Sequence, residues 1–450
     1  MHRIKGVLCL SALGLLCLAG GPLAAQDDDS SDALVGMIVE LLGDADRDMR
    51  ALGFQQVREE AIGEAATKQF TEVLPKLAPD GQAGLLEALG DRGDATALPA
   101  VLDMLKSPEE TVRAAALGAV GALGSAANVP LLAQKAAEGS GLEKGSARKS
   151  LLRLRGDDVN PAILSEMAKS EPGVRAGLLG VLAARNAKET LPAVLKCTDD
   201  PEPCVRLASL GALRFLAGEN DVTTIVAVLK SARNDDERSK AELALLAVCN
   251  LARQDCAETI IAGMADAEAP SRIALLRTLA RAGGPKALEQ IVASVNDDDQ
   301  PVSDEAVRML SAWGDPAAAA HLLQIAGKDE SLRHRVLAIR GLARLAGPKK
   351  DRPADLDTLA KVMKLAKRPQ EKRLLLGVLG GVAEPKSLAL VTPALDDTAV
   401  KEEAGLAAVM IAERIKDGDK AALRAAMEKV LKTGKNQQTR DRAQKVLDSL

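Results

Sequence analysis

The sequence has almost no aromatic side chains: its 450 residues include three Phe, one Trp and no Tyr. Cores of β-sandwiches are rich in aromatic and β-branched residues, whereas Leu and Ala are strong helix formers. Because 47% of the residues are hydrophobic, there is ample material to bury. The core must therefore consist mainly of Leu, Ala, Val and Ile, which favours closely packed helices.

Histidine is also scarce, and the sequence contains no recognisable catalytic or metal-binding motif. Beyond the N-terminal segment only His321 and His334 occur, and no Ser, Cys or Asp arrangement around them suggests a catalytic triad. No Gly-rich phosphate loop follows a strand pattern. The Asp runs at 27–29 and 297–299 lack the spacing of a calcium-binding loop. The sequence therefore predicts a non-enzymatic protein without a metal site or cofactor.

The N-terminal segment has the features of an export signal. Arg3 and Lys5 precede an apolar run over residues 7–18, and small residues follow it. The run is shorter than the roughly 20 apolar residues that a membrane span needs. We expect residues 1–25 to be a signal peptide cleaved after Ala25, with an uncleaved anchor as the alternative. The mature protein is then periplasmic or secreted, and its membrane contact is limited to the signal.

The mature chain is acidic overall. Without the signal, 57 basic residues face 63 acidic ones, a net charge near −6. This balance, together with the lack of flat aromatic stacking platforms, argues against a nucleic acid as partner. Residues 26–32, which include three consecutive Asp residues, are expected to form a disordered acidic linker.

One pattern of residues repeats along almost the whole mature chain. "PEETVRAAALGAVGALG" at 108–124 and "LRHRVLAIRGLARLAG" at 332–347 both place an Arg ahead of an apolar stripe of helical period. A second apolar stripe precedes each such block, so each unit is two helices joined by a short turn. The mean step of about 32 residues is typical of stacked helix pairs. Aligning the units on the Arg gives Arg50, Gln82, Arg113, Arg148, Arg175, Arg206, Arg238, Arg272, Ser303, Arg335, Lys372, Lys401 and Arg440.

The turn before Arg206 carries the residues that identify the repeat. Asp200 precedes the pair Val205-Arg206 by five positions, and this spacing resembles that of HEAT repeats. The resemblance implies an all-α superhelical solenoid of about 13 repeats in all, with regular repeats over residues 33–347, a basic insert at 348–357, and divergent repeats with a cap at 358–450. It also implies a structural ladder of charged side chains, made of Asp44, Arg50, Asp200, Arg206, Asp266, Arg272, Asp329 and Arg335.

The resemblance also sets the functional expectation. Solenoids of this kind offer extended surfaces to proteins or peptides. The leading hypothesis is a scaffold or adaptor in the cell envelope or outside the cell, present as a monomer or within a hetero-complex. Two alternatives stay open: a docking or regulatory subunit of an exported multiprotein enzyme, and a protein similar to the phycobilin-lyase branch of HEAT-like proteins.

Four cysteines remain after removal of the signal. Both pairs are seven residues apart, across short turns between antiparallel helices, and such turns can bring two Cα atoms within reach of a disulfide. Export supplies the oxidising compartment. We predict the disulfides Cys197–Cys204 and Cys249–Cys256, with four buried free thiols as the alternative.

One segment is strongly basic in this acidic protein. Residues 333–373 hold 13 Lys or Arg against four Asp or Glu. Part of this segment is a candidate docking patch for an acidic partner, an anionic envelope polymer or lipid headgroups; a solvated outer helix face is the alternative. The basic patch consists of Lys349, Lys350, Arg352, Lys361, Lys364 and Arg368.

Overall fold

The computed structural model describes residues 27–251, 256–328, 331–416 and 418–450, with side chains from residue 32 onward. The predicted signal peptide at 1–25 therefore lies outside the described residues. Helices connected by short turns make up the described chain, and the β pairing found there is one isolated bridge in a loop. The predicted all-α fold class is confirmed.

The chain divides into two units, one ending at Thr190 and one over Leu191–Leu450. In the described part of the first unit, ten α-helices form five successive pairs. They are α1 (Asp27–Leu42) with α2 (Arg47–Glu59), α3 (Glu64–Val73) with α4 (Pro79–Arg92), α5 (Leu98–Asp103) with α6 (Glu110–Leu123), α7 (Val129–Glu138) with α8 (Gly141–Arg153), and α9 (Val159–Lys169) with α10 (Pro172–Ala184).

The second unit contributes eight pairs among the residues that are described. They are α11 (Leu191–Lys196) with α12 (Pro203–Leu216), α13 (Val222–Lys230) with α14 (Asp235–Leu251), α15 (Ala257–Met264) with α16 (Ala269–Ala282), α17 (Pro285–Ser294) with α18 (Gln300–Ala312), α19 (Ala319–Lys328) with α20 (Leu332–Ala346), α21 (Leu356–Leu365) with α22 (Pro369–Gly380), α23 (Pro385–Val391) with α24 (Lys401–Ala412), and α25 (Lys420–Thr433) with α26 (Gln437–Asp448).

Within each unit the helices form two layers. We call the first helix of each pair the A helix and the second the B helix. B helices pack on B helices, as α4 does on α6 and α6 on α8, while A helices such as α13 and α15 contact each other. The 13 pairs of the described chain agree with the predicted number of about 13 repeats.

Local sequence signals explain where the helices begin and end. The Asp46 carboxylate accepts hydrogen bonds from the N–H groups of Asp48 and Met49, which caps the start of α2. Ser140 and Glu143 form a capping box at the start of α8. Gly93 ends α4 with φ +77°, a left-handed conformation that costs glycine little.

Small residues allow the B helices to approach closely. Leu85, Leu86 and Leu89 of α4 are fully buried between neighbouring helices, and each contributes about 2 kcal/mol through burial. On α6, a Cβ added to Gly121 would lie 2.6 Å from the Cα of Ser150 on α8. The contact between these two helices therefore requires glycine at this position.

The structure corrects two details of the predicted organisation. Helix α1 begins at Asp27, so residues 27–32 belong to a helix rather than to a disordered linker. In 11 of the 13 described pairs, the aligned Arg-like residue is the fourth residue of its B helix. Arg148 and Lys401 depart from this register because they are the eighth residue of α8 and the first of α24.

Candidate functional site

Arg113 shows what the arginine that recurs in most repeats contacts. Its Nη1 donates to the carbonyl oxygens of Ser107, at 2.9 Å, and Pro108, at 2.8 Å, in the turn before its own helix. Its Nε donates to Glu143 Oε1 of the next B helix at 2.6 Å. One guanidinium thus closes its own turn and joins two repeats.

Arg50 repeats this geometry near the start of the solenoid. Its Nη1 donates to the carbonyl oxygens of Asp44 and Ala45, both at 2.9 Å, and its Nη2 donates to Asp80 Oδ2 at 2.7 Å. The Asp80 side chain is 66% exposed, so this ion pair stabilises the fold only weakly.

Arg206 makes the most deeply buried contact of the same type. Its Nη1 donates to the carbonyl oxygens of Asp200 and Pro201, and its Nε donates to Glu237 Oε1, each at 2.9 Å. Burial raises the pKa of Glu237, but hydrogen bonds from the Arg233 N–H and the Arg206 guanidinium outweigh it and hold that pKa below its ordinary value. We call Arg50, Arg113 and Arg206 the arginine ladder.

The predicted Asp residues enter the ladder differently from the expectation. Asp44 and Asp200 accept from their arginines through backbone oxygens. The side chain of Asp44 accepts from the N–H of Asp46 at 2.7 Å, and that of Asp200 from the N–H of Glu202 at 2.9 Å. The carboxylate that pairs with each ladder arginine comes from the next repeat instead, because stacked B helices bring that repeat within reach.

The other predicted ladder residues have partners of their own. Asp266 pairs with Lys230 rather than with Arg272. Arg272 pairs with Asp297 Oδ1 of the next repeat at 3.2 Å. Asp297 thus pairs with an arginine of the preceding repeat, although its own repeat has Ser303 at the aligned position. These pairings join neighbouring repeats.

The last predicted ladder pair is described only in part. Asp329 lies outside the described residues. The Arg335 Nε donates to the carbonyl oxygen of Ala326 at 3.3 Å, which ties α20 to α19.

A second set of arginines joins repeats at the other end of the B helices, and the sequence did not predict it. Arg92, the last residue of α4, donates to the carbonyl oxygens of Val57 at 2.8 Å, Glu60 at 2.9 Å and Ala61 at 2.5 Å. These oxygens lie at the C-terminal end of α2, where carbonyl groups lack helical partners. Arg92 therefore caps the preceding B helix.

Two further arginines cap the end of the preceding B helix in the same way. Arg185 donates to Leu151 O at 2.8 Å and Leu154 O at 3.0 Å, and Arg344 donates to Trp313 O at 2.5 Å. An arginine in the last turn of a B helix, as for Arg92 and Arg344, or directly after it, as for Arg185, is the sequence signal that would have indicated this set.

The four predicted disulfide cysteines are in the thiol form in the structure. Cys204 is exposed, Cys197 and Cys249 are half-buried, and Cys256 is buried. Burial raises the pKa of the Cys249 thiol to about 12, and its hydrogen bond with Cys256 adds to the shift, so these two thiols lie in contact. Neither disulfide is formed here, and both pairings stay predictions.

The two histidines occupy different surroundings. His334 is buried, with Nε2 2.7 Å from Asp304 Oδ1, and Arg333 Nη1 donates to the other oxygen of the same carboxylate at 2.6 Å. His321 lines a pocket of about 790 Å³ together with Met309 and Trp313. His334 and Asp304 join α20 to α18.

The basic patch does not lie on a single helix. Lys361 and Lys364 are exposed on the A helix α21, which ends at Leu365, and the exposed Arg368 occupies the N-cap position of the following B helix. Lys349 and Lys350 are exposed in the loop between α20 and α21, while the half-buried Arg352 donates to the carbonyl oxygen of Leu345. Five of the six cations thus reach solvent from one A helix and two loops.

The B helices carry most of the exposed apolar side chains. Of the 12 exposed large hydrophobic residues in the described chain, ten lie on B helices; the others are Met37 on α1 and Ile62 in a loop. Within each unit, we call the outward surface of these helices the B-helix face. The ten are Met49, Leu52, Leu142, Leu152, Phe215, Leu243, Leu251, Leu332, Leu374 and Leu406.

Within the ranges that the structure covers, no three or more His, Cys, Asp or Glu side chains are grouped to hold a metal ion. No described helix combines the length and the apolar character needed to cross a membrane.

Stacked A and B helices joined by arginines define the class of the protein: an all-α solenoid of two-helix repeats. Comparison with known families matches HEAT repeats over residues 67–151, 160–246 and 257–343, which together exceed half of the chain. The chain therefore belongs to the HEAT-repeat family. A search of curated proteins finds no match.

Solved structures with a similar fold include complexes of Kap121p. The crystal structure of Kap121p bound to Nup53p is 14% identical, with a TM-score of 0.50, over 94% of this chain and 54% of that one. The karyopherin Kap121p bound to the extreme C-terminus of the protein phosphatase Cdc14p is 15% identical, with a TM-score of 0.51 and the same coverage. The chain spans about half the length of these solved chains, and the likeness concerns the fold alone.

Proposed function

We propose that this protein is a non-enzymatic scaffold that binds other proteins through its B-helix face. The observation that carries the proposal is that ten of the 12 exposed large apolar side chains of the described residues lie on B helices, six of them in the second unit. Exposed apolar side chains on the helices of one layer are candidate contacts for a partner protein. A protein surface supplies the matching apolar area.

The similar solved structures support this proposal. Kap121p appears there bound to Nup53p and to the extreme C-terminus of Cdc14p. A solenoid of comparable fold thus accommodates protein segments.

The proposed setting is the cell envelope or the space outside the cell. The support comes from the charged and apolar pattern of residues 1–25. Mass spectrometry of the protein purified from its native source tests the setting: a first residue of Gln26 is expected. A chain that retains Met1 contradicts cleavage.

The B-helix face is tested by the double substitution Phe215→Ser and Leu243→Ser. Both side chains are exposed, at 57% and 45%, so the fold should tolerate the change. Ile62→Ser is the matched control because Ile62 is 92% exposed but lies in a loop. Wild type and variants are used to capture partners from native extract, with quantitative mass spectrometry as the readout.

We expect the same partner protein to be captured by the wild type and the Ile62 variant and lost by the double variant. Equal capture by all three proteins would contradict the proposal for this part of the B-helix face.

The basic patch is a second surface within the same proposal. Changing Lys361, Lys364 and Arg368 to Glu reverses three charges without touching a buried contact, because all three side chains are exposed. Binding to an acidic partner should fall and should also weaken with added salt. Binding that is insensitive to both changes leaves the solvated helix face as the correct interpretation.

A further inference from the structure

One position of the B helices carries an arginine in three consecutive repeats. The ninth residue of the helix is Arg277 on α16, Arg308 on α18 and Arg340 on α20. The same position on α14 is Leu243, which is 45% exposed. We call Arg277, Arg308 and Arg340 the arginine row. Because α16 packs on α18 and α18 on α20, the row crosses three adjacent helices.

These three helices are unlike the rest of the chain in charge. Together α16, α18 and α20 contain eight Arg, no Lys and two acidic residues, Asp304 and Glu305. The whole protein has a net charge of −4. Both acidic groups are already engaged: Asp304 accepts from Arg333 at 2.6 Å, and Glu305 is buried between two arginines.

Glu305 holds two members of the row in position. Its Oε1 accepts from Arg277 Nε at 2.7 Å, and its Oε2 accepts from Arg308 Nε at 2.8 Å. The side chains of Arg277 and Arg308 remain 41% and 46% exposed, so each guanidinium keeps N–H groups that face solvent. Arg340, which is also exposed, completes the row.

The contacts of the row indicate the form of its partner. Glu305 Oε1 accepts from both Arg277 Nε and Arg308 Nη2, so these two guanidinium groups converge on one carboxylate. Arg340 lies on the next B helix, because α18 packs on α20. A partner that contacts the whole row must therefore extend across three adjacent helices and carry more than one acidic group.

We propose that the arginine row binds an extended acidic segment of a partner protein that also carries an apolar residue in contact with Leu243. The inference rests on the proposed function, since it names the chemistry of the partner on the B-helix face. Arginine suits this role because its planar fork donates two parallel hydrogen bonds to one carboxylate. Single-stranded nucleic acid fits less well, because no aromatic side chain stands in the row to stack on bases.

A synthetic peptide supplies the probe. The acidic peptide is a fluorescein-labelled segment with several Glu residues and one terminal Leu, and its counterpart has Gln in place of each Glu. Fluorescence anisotropy measures binding to the full chain at low and high salt. A single-stranded oligonucleotide and vesicles with anionic lipids are measured in parallel.

The test variant is Arg277→Gln with Arg308→Gln and Arg340→Gln. The matched control, Lys361→Gln with Lys364→Gln and Arg368→Gln, removes the same number of charges from the basic patch. The triple row variant should weaken binding of the acidic peptide about tenfold or more, because each exposed charge pair contributes a few-fold. Arg340→Gln alone should weaken it about twofold to fivefold, and it keeps the test valid if the triple variant does not fold.

Binding of the Glu peptide that falls with salt, exceeds that of the Gln peptide and is lost only in the row variants supports the proposal. Loss in the patch control instead, or equal binding by all variants, overturns it. Tighter binding of the oligonucleotide or the vesicles through the same arginines overturns the assignment of a protein partner. If the row variants still capture the native partner while the Phe215 and Leu243 double variant does not, the arginine row is wrong and the scaffold proposal stands.

Discussion

Arg113 donates a 2.6 Å hydrogen bond to Glu143 and so joins α6 to α8, the B helices of the third and fourth repeats. The N–H of Ser140 donates to the second oxygen of the same carboxylate at 2.9 Å. Glu143 is only 5% exposed. The Ser140 N–H and the Arg113 guanidinium together lower the pKa of Glu143 to about 2.

Glu143 should therefore make stability depend on pH. A carboxyl whose pKa is lower in the folded chain stabilises it above the ordinary pKa, near 4.5, and loses that contribution as the pH falls towards 2. We expect Glu143→Gln to lower the free energy of unfolding by about 2 kcal/mol at pH 7 and by little near pH 2. Urea unfolding followed by circular dichroism measures both.

Glu138→Gln is the control for this substitution because Glu138 is exposed at the end of α7. It should change stability by less than about 0.5 kcal/mol at either pH. An effect of Glu143→Gln that is equally large at pH 2 and pH 7 would rule out the ionised pair as its cause.

Two glycines on α6 should respond in opposite directions to alanine. A Cβ at Gly121 would lie 2.6 Å from the Cα of Ser150, whereas a Cβ at Gly118 would meet nothing within 4 Å. We expect Gly121→Ala to destabilise the protein by about 1 to 3 kcal/mol through overpacking. Gly118→Ala should stabilise it by about 0.5 to 1 kcal/mol, because Ala loses less conformational entropy in a helix. Thermal unfolding that ranks the variants the other way contradicts the tight contact of α6 with α8.

Arg92 should not be replaceable by lysine. Its guanidinium reaches three carbonyl oxygens at the end of α2, and an ammonium group cannot span them in one geometry. We expect Arg92→Lys to cost about 1 to 2 kcal/mol, measured by urea unfolding. Arg58→Lys is the comparison, because Arg58 forms an exposed ion pair with Asp91 at 3.0 Å, and its cost should stay below about 0.5 kcal/mol. Equal costs would mean that the capping role of Arg92 adds nothing.

The cysteines should differ in reactivity once they are reduced. Cys204 is exposed, whereas burial and Cys256 raise the pKa of the Cys249 thiol to about 12, which leaves almost no thiolate at pH 8. Iodoacetamide should therefore alkylate Cys204 well before Cys249, as mass spectrometry of timed samples will show. Equal rates at the two sites contradict the burial of Cys249.

The predicted disulfides have a separate test. In protein isolated without reductant, recovery of all four alkylated thiols would contradict the predicted disulfides.

Periodicity was sufficient to predict the helix pairs. Leu210, Leu213 and Leu216 recur at helical spacing, and all three are buried on α12. Composition excluded a core of aromatic residues, and the recurring Arg marked where most B helices begin. The predicted position of the recurring basic residue was wrong in α8 and α24. Arg148 and Lys401 were chosen there because they are basic, but neither is the fourth residue of its helix.

The partners of the ladder could not be obtained in the same way. Asp200 lies close to Arg206 in the sequence, yet its backbone oxygen accepts the hydrogen bond and Glu237, 31 residues later, supplies the carboxylate. Sequence proximity favours the local acid, whereas packing of one B helix on the next brings the distant acid within 2.9 Å. For the same reason, the sequence does not show the capping role of Arg92, because its acceptor Val57 lies 35 residues earlier and meets it through the packing of α4 on α2.

By itself the sequence determined that this chain forms two-helix repeats, because an apolar stripe of helical period and its turn residues act locally on every segment. The tertiary structure decided which side chains meet between repeats and which layer keeps apolar side chains exposed. Arg277, Arg308 and Arg340 form one row only because consecutive B helices stack in the same register. That register is set by packing between helices, which the spacing within a single helix does not specify.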